Sequence, residues 1–214
     1  RSYVAVDISV DFLGDSLARL QLQHPELPML GVGTDFSRRL LLPAEAGDGE
    51  RLLFYPGSSI GNFAPAQALD FLRQLRQAAQ GGGLLIGVDL LKPVAVLEAA
   101  YDDPLGVTAA FNRNLLQNVN HLIGSNFALA DWRHVAFFDA PQSRIEMHLE
   151  ARRSIKVHWP GGERAFVAGE RIHTESSYKW RAEDFTAFLG DAGFSAIRCW
   201  TDERGWFAVF LAQA

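Results

Sequence analysis

The sequence has a single cysteine, Cys199, among its 214 residues, so no disulfide can form within the chain. Structural disulfides are typical of secreted proteins, and their absence here favours a reducing compartment. The residues from Arg1 onward also lack the basic start, the apolar segment and the cleavage site of a secretory signal. We therefore expect a cytoplasmic protein.

Long apolar runs and concentrated positive charge are also missing. The most apolar segment, Leu84 to Leu91, is interrupted by Gly87 and Asp89 and is too short to span a bilayer. The net charge is -5, and the 20 basic residues are mostly interleaved with the 25 acidic ones. The sequence therefore predicts neither a membrane nor a nucleic acid as partner.

A recognisable metal-binding pattern is absent as well. None of the six histidines is paired with another four residues away, the helical spacing that is typical of many zinc sites. The sequence therefore predicts no metal site. With 48% hydrophobic and 21% charged residues, the composition is that of a folded protein. Its length suits one large domain, or one domain that carries an insertion.

Strands alternate with helices in the first hundred residues. The pattern predicts helices over 11–23 and 65–79. The segment 83–90 is apolar without alternation, which is typical of a parallel strand covered on both faces. Alternating elements of this kind form an open α/β sheet that binds ligands at the carboxyl ends of its strands. The predicted strands are 3–7, 29–32, 52–55 and 83–90, and the residues at that edge are Asp7, Asp35, 56–62 and Asp89.

The pattern changes from residue 101. A long helix rich in asparagine is predicted over 107–123, and antiparallel strands follow it. We predict that residues 101–180 form an α+β substrate-binding region. The core would then consist of residues 1–100 and 181–214, closed by a helix and an antiparallel hairpin. The predicted antiparallel strands are 135–138, 144–149, 154–157, 197–200 and 206–211.

Ordered motifs along the whole chain resemble one enzyme family. They read Phe54-Tyr-Pro-Gly-Ser-Ser-Ile-Gly-Asn-Phe63, Leu85-Ile-Gly-Val-Asp-Leu-Leu-Lys92, Ala100-Tyr-Asp-Asp103, Gly106-Val-Thr-Ala-Ala-Phe-Asn112, Arg144-Ile-Glu-Met147 and Gly169-Glu-Arg-Ile-His-Thr-Glu-Ser-Ser-Tyr-Lys179. The chain resembles the class I S-adenosylmethionine-dependent methyltransferases and, among them, the L-histidine N-alpha-methyltransferases of ergothioneine biosynthesis. The resemblance implies a Rossmann-like sheet and S-adenosylmethionine as cofactor. It also implies N-methylation of the α-amino group of L-histidine, up to the trimethylated betaine hercynine.

The resemblance also implies that part of the family's fold is missing from this sequence. In the family, a first strand and its glycine-rich loop precede the strand equivalent to Tyr3 to Ser9, and here they are absent. That strand lies in the middle of the family's sheet and supplies part of the cofactor cradle. The same region holds a substrate-contacting tyrosine. One interpretation is therefore an inactive fragment with an incomplete sheet, and its exposed backbone would invite a partner strand, which leaves the oligomeric state open.

The resemblance assigns four residues to the cofactor. It implies that the Asp7 carboxylate accepts hydrogen bonds from both ribose hydroxyls. It gives Asp35 the exocyclic amine of adenine and Phe36 the adenine ring, and Gly57 allows the backbone to approach closely. The alternatives are ordinary ones. An Asp after a strand also caps the next helix, and Phe36 can be a core aromatic.

Two further residues are implied to hold the amino and carboxylate groups of the substrate near the methyl donor. These are Asn62 and Tyr101, which we predict as the catalytic residues. An N-terminal helix cap would also explain Asn62, and Tyr101 could be a packing residue.

The side chain of the substrate is assigned to a group downstream. Glu175 would accept a hydrogen bond from an imidazole N–H, Ser177 and Ser176 would bond to the ring, and Met147 would line its apolar side. Otherwise, 174–178 is an alternating edge strand with a solvated Glu175, and Met147 fills the core.

Two other functions stay open at this stage. The first is a related methyltransferase that acts on another amino acid or on an imidazole thioether. The second is a non-catalytic module that binds a ligand or a partner, because the glycine-rich loop is absent. A nicotinamide oxidoreductase is disfavoured, since no G-x-G-x-x-G motif follows a strand.

Overall fold

The computed structural model describes residues 1–214 and has five helices and eleven strands. No helix is both long enough and apolar enough to cross a membrane. The helices are α1 (Val10–Gln23), α2 (Pro65–Ala79), α3 (Val94–Tyr101), α4 (Val107–Ile123) and α5 (Ala182–Asp191). The strands are β1 (Tyr3–Asp7), β2 (Met29–Gly33), β3 (Leu52–Tyr55), β4 (Gly83–Asp89), β5 (Trp132–Asp139), β6 (Arg144–Ala151), β7 (Ile155–Trp159), β8 (Gly162–Phe166), β9 (Arg171–Tyr178), β10 (Ser195–Thr201) and β11 (Phe207–Gln213).

The chain divides into two compact units. The first contains Arg1–Ser59, Ala64–Val88 and Ala182–Ala214, and the second contains Ile60–Phe63 and Asp89–Arg181. The second unit therefore begins before the predicted boundary at residue 101 and includes α3 and the short turn around Gly61.

Unit 1 contains two sheets with parallel strand pairs. β1 pairs with β2 from Tyr3 opposite Met29 to Asp7 opposite Gly33. β3 pairs in parallel with β4, within a four-stranded sheet of order β10-β11-β4-β3. β10 and β11 form the antiparallel hairpin that the sequence predicts at the end of the chain. The predicted α/β fold class is confirmed. The two sheets share no strand ladder, so β1 and β3 each pair along one side only.

The α2 helix shows how local sequence builds this unit. Pro65 occupies its first turn, where no backbone donor is needed, and the Gln67 side chain accepts a hydrogen bond from the Ala64 N–H at 3.2 Å. Its buried face recurs at helical spacing. Fully burying a large apolar side chain stabilises the fold by about 1.5–3 kcal/mol. The buried residues are Ala68, Phe71, Leu72, Leu75 and Ala79.

Unit 2 is built on the antiparallel sheet β5-β6-β9, with β6 in the centre. β7 and β8 form a separate hairpin. Along β6, the side chains of Ile145, Met147 and Leu149 are buried on one face, while Glu146 and His148 point to the other face. The buried face packs against the helices of this unit through two apolar clusters. One contains Leu97, Ile145 and Met147, and the other contains Leu116, Trp132, Leu149, Ala151, Val157 and Phe166.

The α4 helix begins beside an acidic side chain. The Asp103 carboxylate accepts hydrogen bonds from the backbone N–H groups of Thr108 at 2.8 Å and Val107 at 3.1 Å. These groups would otherwise have no partner in the first turn. Both hydrogen bonds stabilise the charged form of Asp103 and lower its pKa to about 2. The bond from the Thr108 N–H has the larger effect.

Candidate active site

The central feature of unit 2 is a carboxylate without a bonding partner. Glu175 lies on β9 directly opposite Met147 on β6. It is partly buried, and its carboxylate makes no hydrogen bond or ion pair within the chain. Burial raises the pKa of Glu175, and the charge of Lys179 only partly offsets this effect. A desolvated carboxylate that is left unpaired is unfavourable for stability, so such groups are found preferentially where a ligand completes them.

Next to Glu175 lies a closed network of three polar side chains. The Tyr101 hydroxyl donates to Ser177 Oγ at 2.8 Å. The Lys179 ammonium donates to Tyr101 Oη and to Ser177 Oγ, each at 2.9 Å. Its third donor meets Asp89 Oδ2 at 2.8 Å. Since Ser177 Oγ accepts two hydrogen bonds here, its own proton is available to a ligand.

Lys179 is the site residue that the sequence reasoning missed. Its side chain is 1% exposed, and a buried ammonium is tolerated only where its donors are satisfied. The motifs include Lys179 but give it no role, and they predict Asp89 only as a residue at the carboxyl edge of the sheet. The alternation of side chains along a strand could have identified Lys179. Residues 175, 177 and 179 are two positions apart, so they share one face of the strand.

Asn62 is brought to this network by a tight turn. A Cβ at Gly61 would lie 2.9 Å from the Tyr178 carbonyl oxygen and 3.6 Å from Ser177 Oγ. Only glycine therefore allows the turn to approach β9 so closely. Asn62 follows immediately, and its side chain is exposed and has no hydrogen-bond partner within the chain. Its amide is available to bind a ligand.

The backbone of Tyr101 is fixed by a second, buried network. His134 Nε2 donates to the Tyr101 carbonyl at 2.8 Å, which leaves His134 Nδ1 to accept from the Asn112 amide at 2.9 Å. Asn112 is fully buried and also donates to the His148 carbonyl at 3.2 Å. One asparagine of the Asn-rich helix thus positions the end of α3, a role that the sequence did not reveal.

The other two residues predicted to contact the substrate, Met147 and Ser176, lie on opposite faces of the β5-β6-β9 sheet. Met147 is 4% exposed and belongs to the cluster against which Tyr101 packs. Ser176 lies opposite Glu146 and its hydroxyl bonds to His173 Nε2 at 3.0 Å. Because neighbouring residues of a strand point to opposite faces, Ser176 points away from Glu175 and Ser177. The structure brings Tyr101, Met147, Glu175 and Ser177 to one face of the sheet and places Ser176 on the other face. The turn that carries Asn62 lies beside β9.

In unit 1, the two acidic residues predicted to bind the cofactor, Asp7 and Asp35, lie at one edge of the β1-β2 sheet. Asp7 is the last residue of β1 and is paired with Gly33 of β2, so Asp7 and Asp35 follow adjacent strand ends. Asp7 Oδ1 accepts from the Ser9 N–H at 2.8 Å, and Oδ2 has no partner within the chain. Asp35 is engaged locally, through Ser37 on Oδ1 and Arg38 on Oδ2.

Phe36 and Gly57 have contrasting surroundings. The ring of Phe36 packs edge-on to Tyr55, with centroids 6.1 Å apart, and at 6.0 Å from the ring of Phe71. Gly57 lies in the turn after β3, and a Cβ there would meet only Ser59 Oγ, at 3.8 Å. Packing within the chain therefore accounts for much of the position of Phe36, whereas it does not require glycine at 57.

The residues of unit 1 are chemically suited to an adenosine group. A ribose diol and an exocyclic amine are both hydrogen-bond donors, and the edge offers carboxylate acceptors, of which Asp7 Oδ2 is the one left without a partner. These carboxylate acceptors therefore fit the hydroxyl and amine donors of an adenosine group.

A family model described as "Histidine-specific methyltransferase, SAM-dependent" matches residues 1–214. The chain belongs to this family. It is 38% identical to histidine N-alpha-methyltransferase of Mycolicibacterium smegmatis over 99% of the chain and 66% of that protein. It is 30% identical to ergothioneine biosynthesis protein 1 of Neurospora crassa over 99% of the chain and 24% of that protein. The resemblance stated from the motifs is confirmed.

The chain is a partial match in length. It spans 66% of histidine N-alpha-methyltransferase of Mycobacterium tuberculosis as well, again at 38% identity. Among solved structures, it is similar to the crystal structure of an exported-protein candidate from Bordetella parapertussis, with a TM-score of 0.52 and 18% identity. That match covers 99% of this chain and 53% of the other, and it shows a shared fold.

Proposed function

We propose that the protein to which this chain belongs transfers methyl groups from S-adenosylmethionine to the α-amino nitrogen of L-histidine, up to the trimethylated betaine hercynine. The observation that carries the proposal is the unpaired, partly buried carboxylate of Glu175 next to the free proton of Ser177. Membership of a family described as histidine-specific supports it.

Glu175 and Ser177 together match the edge of an imidazole ring. The ring has one N–H donor and one nitrogen acceptor when neutral, and two donors when charged. Glu175 accepts from an N–H in either form, and the free proton of Ser177 can be donated to the other nitrogen of the neutral ring. Met147 offers the ring an apolar surface. A charge-assisted hydrogen bond of this kind contributes about 1.5–3 kcal/mol, which is enough to select histidine over side chains without a donor.

Asn62 and Tyr101 would hold the amino-acid end of the substrate. Methyl transfer is an in-line displacement, so the amine lone pair must be aligned with the bond from sulfur to methyl. Fixed alignment can supply about 7–11 kcal/mol of the reduction in the barrier. The α-amino group has a pKa of about 7.7–8.0 in peptides and must be neutral to react. In the proposed site, the Tyr101 hydroxyl is the nearby group that can pass the released proton to water.

The cofactor roles are part of the same proposal. Asp7 would accept from the ribose hydroxyls, Asp35 and Phe36 would contact adenine, and the Gly57 backbone would pass close to the ligand. When bound, S-adenosylmethionine supplies the electrophilic methyl group. The chain's own task is then to hold the two ends of the ligand and to exclude water.

The location and partners follow from the same reasoning. We infer a cytoplasmic protein, since the one cysteine, Cys199, is a free, exposed thiol. The partner in the proposed reaction is a small-molecule substrate. Fractionation of the source cells with an antibody to the chain tests this, and recovery outside the cytoplasm would contradict it.

The test is a direct assay of the complete protein with L-histidine and S-adenosylmethionine, with mono-, di- and trimethylated histidine measured by mass spectrometry. We expect accumulation of the trimethylated product. Turnover of a different amine with no methylated histidine would favour the alternative substrate class. Calorimetry that shows no cofactor binding to the complete protein would favour a non-catalytic module.

A further inference from the structure

A second cluster of ligand-type side chains lies on the opposite face of the β5-β6-β9 sheet. It consists of Glu146 and His148 from β6 and His173 from β9. His148 lies directly opposite His173, and the bulge between Met147 and His148 separates this pair from Glu175. Each of the three residues offers one ligand atom, and these atoms all lie within 4.8 Å of one another. The histidines are 25 positions apart (173 minus 148), so no local spacing in the sequence could reveal the cluster.

The contacts inside the cluster are short. Glu146 Oε2 lies 2.8 Å from His148 Nε2. The rings of His148 and His173 have centroids 5.1 Å apart. Glu146 and His148 have side chains that are 12% exposed, whereas His173 is exposed to solvent. Two ligands are therefore shielded from solvent, and the third is accessible to it.

Neighbours that are not ligands orient each of the three. The ring of Phe137 stacks on His148, with centroids 5.4 Å apart and planes at 12°. Arg144 bonds to Glu146 Oε1 and leaves Oε2 to face His148. Ser176 bonds to His173. Metal ligands are commonly fixed by outer contacts of this kind. His148 Nδ1 has no partner, so the bond to Glu146 is the ring's sole hydrogen bond.

We propose that Glu146, His148 and His173 bind one divalent transition-metal ion, with Zn²⁺ as the ion tested first. Two imidazoles and a carboxylate are a donor set that suits Zn²⁺, and water can complete a tetrahedron. With ligand bonds of about 2.0–2.2 Å, two ligand atoms of a tetrahedral ion lie about 3.3–3.6 Å apart. Glu146 Oε2 and His148 Nε2, now 2.8 Å apart, must therefore separate slightly, and the His173 ring must adjust its distance to both. Rotation of the exposed His173 side chain can achieve this. The ion takes the place of the proton on His148 Nε2, and that proton moves to Nδ1, which has no partner within the chain, so the imidazole stays neutral.

The role of this ion is structural. It would tie β6 to β9 beside the bulge, on the face opposite Glu175, Ser177 and Met147. A cross-link at this point stabilises the strand register that places Glu175 opposite Met147. It takes no part in methyl transfer, so the metal site and the proposed enzymatic function can fail independently.

The test uses the complete protein after treatment with a chelator. Zn²⁺ is titrated by calorimetry, Co²⁺ binding is followed by visible absorption, and the melting temperature is measured with and without Zn²⁺. We expect one ion per chain and a higher melting temperature with the ion. His173→Ala, at an exposed position, and Glu146→Gln should each weaken binding by at least about tenfold. Circular dichroism of the metal-free variants shows whether they are folded.

The matched control is His158→Ala. His158 is an exposed histidine that also pairs with a glutamate, Glu163, at 3.2 Å, but no third ligand accompanies it. This variant should bind Zn²⁺ as the unmodified protein does. No Zn²⁺ binding by the unmodified protein would overturn the proposal, and so would equal affinity in the folded His173→Ala variant.

Discussion

At the scale of single residues, Lys179 explains why the hydroxyls of Tyr101 and Ser177 are held in one arrangement. Its buried ammonium donates to both and to Asp89. We expect Lys179→Met, which keeps the length of the side chain but not its charge, to lower kcat/KM for histidine. One charged hydrogen bond is worth about 1.5–3 kcal/mol, or roughly ten- to a hundredfold.

Steady-state kinetics checks this, with Lys156→Met as the control. Lys156 is an exposed lysine that pairs with Glu163 on the β7-β8 hairpin, so its replacement should leave kcat/KM unchanged. Unaltered kinetics in a folded Lys179→Met variant would exclude the positioning role.

The raised pKa of Glu175 predicts opposite effects on binding and on stability. Because burial raises this pKa, the side chain becomes protonated at a higher pH than an ordinary glutamate and then loses its charge for imidazole. KM for histidine should therefore rise as the pH falls through that raised value. Glu175→Gln should raise KM by about ten- to a hundredfold near neutral pH and remove this acid limb.

The stability effect of the same group has the reverse sign. A carboxyl with a raised pKa binds protons more tightly in the folded state, so its contribution to stability falls as the pH rises from its ordinary pKa through its raised one. Above that window, Glu175→Gln should make the ligand-free protein more stable. Urea unfolding at several pH values measures this, and a variant that is less stable than the unmodified protein at the alkaline end of the series would contradict it.

The sequence motifs predict which residues form the site, but they do not give the directions of the side chains. The motifs pointed to Glu175, Ser177, Tyr101 and Asn62 together. Ser176 was grouped with Ser177 because they are neighbours, although adjacent strand residues point to opposite faces.

At the scale of elements, the Asp103 carboxylate links the start of α4 to pH. Because the Thr108 and Val107 N–H groups lower its pKa to about 2, its stabilisation is present above the ordinary value of 3.8. It is lost as the pH falls from 3.8 towards about 2. Asp103→Asn should lower stability at neutral pH and flatten the decline on the acid side. Urea midpoints measure both, and the exposed Asp15→Asn in α1 should change neither.

The turn around Gly61 is the second element-scale test. Since a Cβ at Gly61 would lie 2.9 Å from the Tyr178 carbonyl oxygen, Gly61→Ala should push the turn away from β9. Overpacking of this kind costs about 1–3 kcal/mol. The same change at Gly57, where the nearest atom is 3.8 Å away, should not affect the free energy of unfolding. Equal stabilities of the two variants would show that the close approach is unimportant.

The spacing of apolar residues predicted the helices and the parallel strands well. It predicted the strands of the second unit less completely. The apolar runs of β3 and β4 and the spaced apolar face of α2 are strong local signals. β8, Gly162–Phe166, was missed because only Ala165 and Phe166 in it are apolar. The compact units divide at Asp89, whereas the pattern places the start of the substrate-binding region at residue 101. The pattern does not break between β4 and α3, and the packing of α3 against β5 and β6 depends on residues far along the chain.

At the scale of the whole molecule, the chain belongs to the histidine-specific methyltransferase family, and the acidic face proposed to recognise histidine is contained in unit 2. Unit 1 contains the acids proposed for the cofactor. The chain covers 66% of the length of its mycobacterial relatives. Activity should therefore be measured on the complete protein.

The most direct test of the account is competition among substrates. The complete protein is given S-adenosylmethionine and an equimolar mixture of L-amino acids, and every methylated product is quantified by mass spectrometry for the unmodified protein and for Glu175→Gln. We predict that the unmodified protein methylates histidine almost alone and that the variant loses most of this preference. Histidine left unmethylated, or an unchanged preference in the variant, would contradict the claim that Glu175 recognises imidazole.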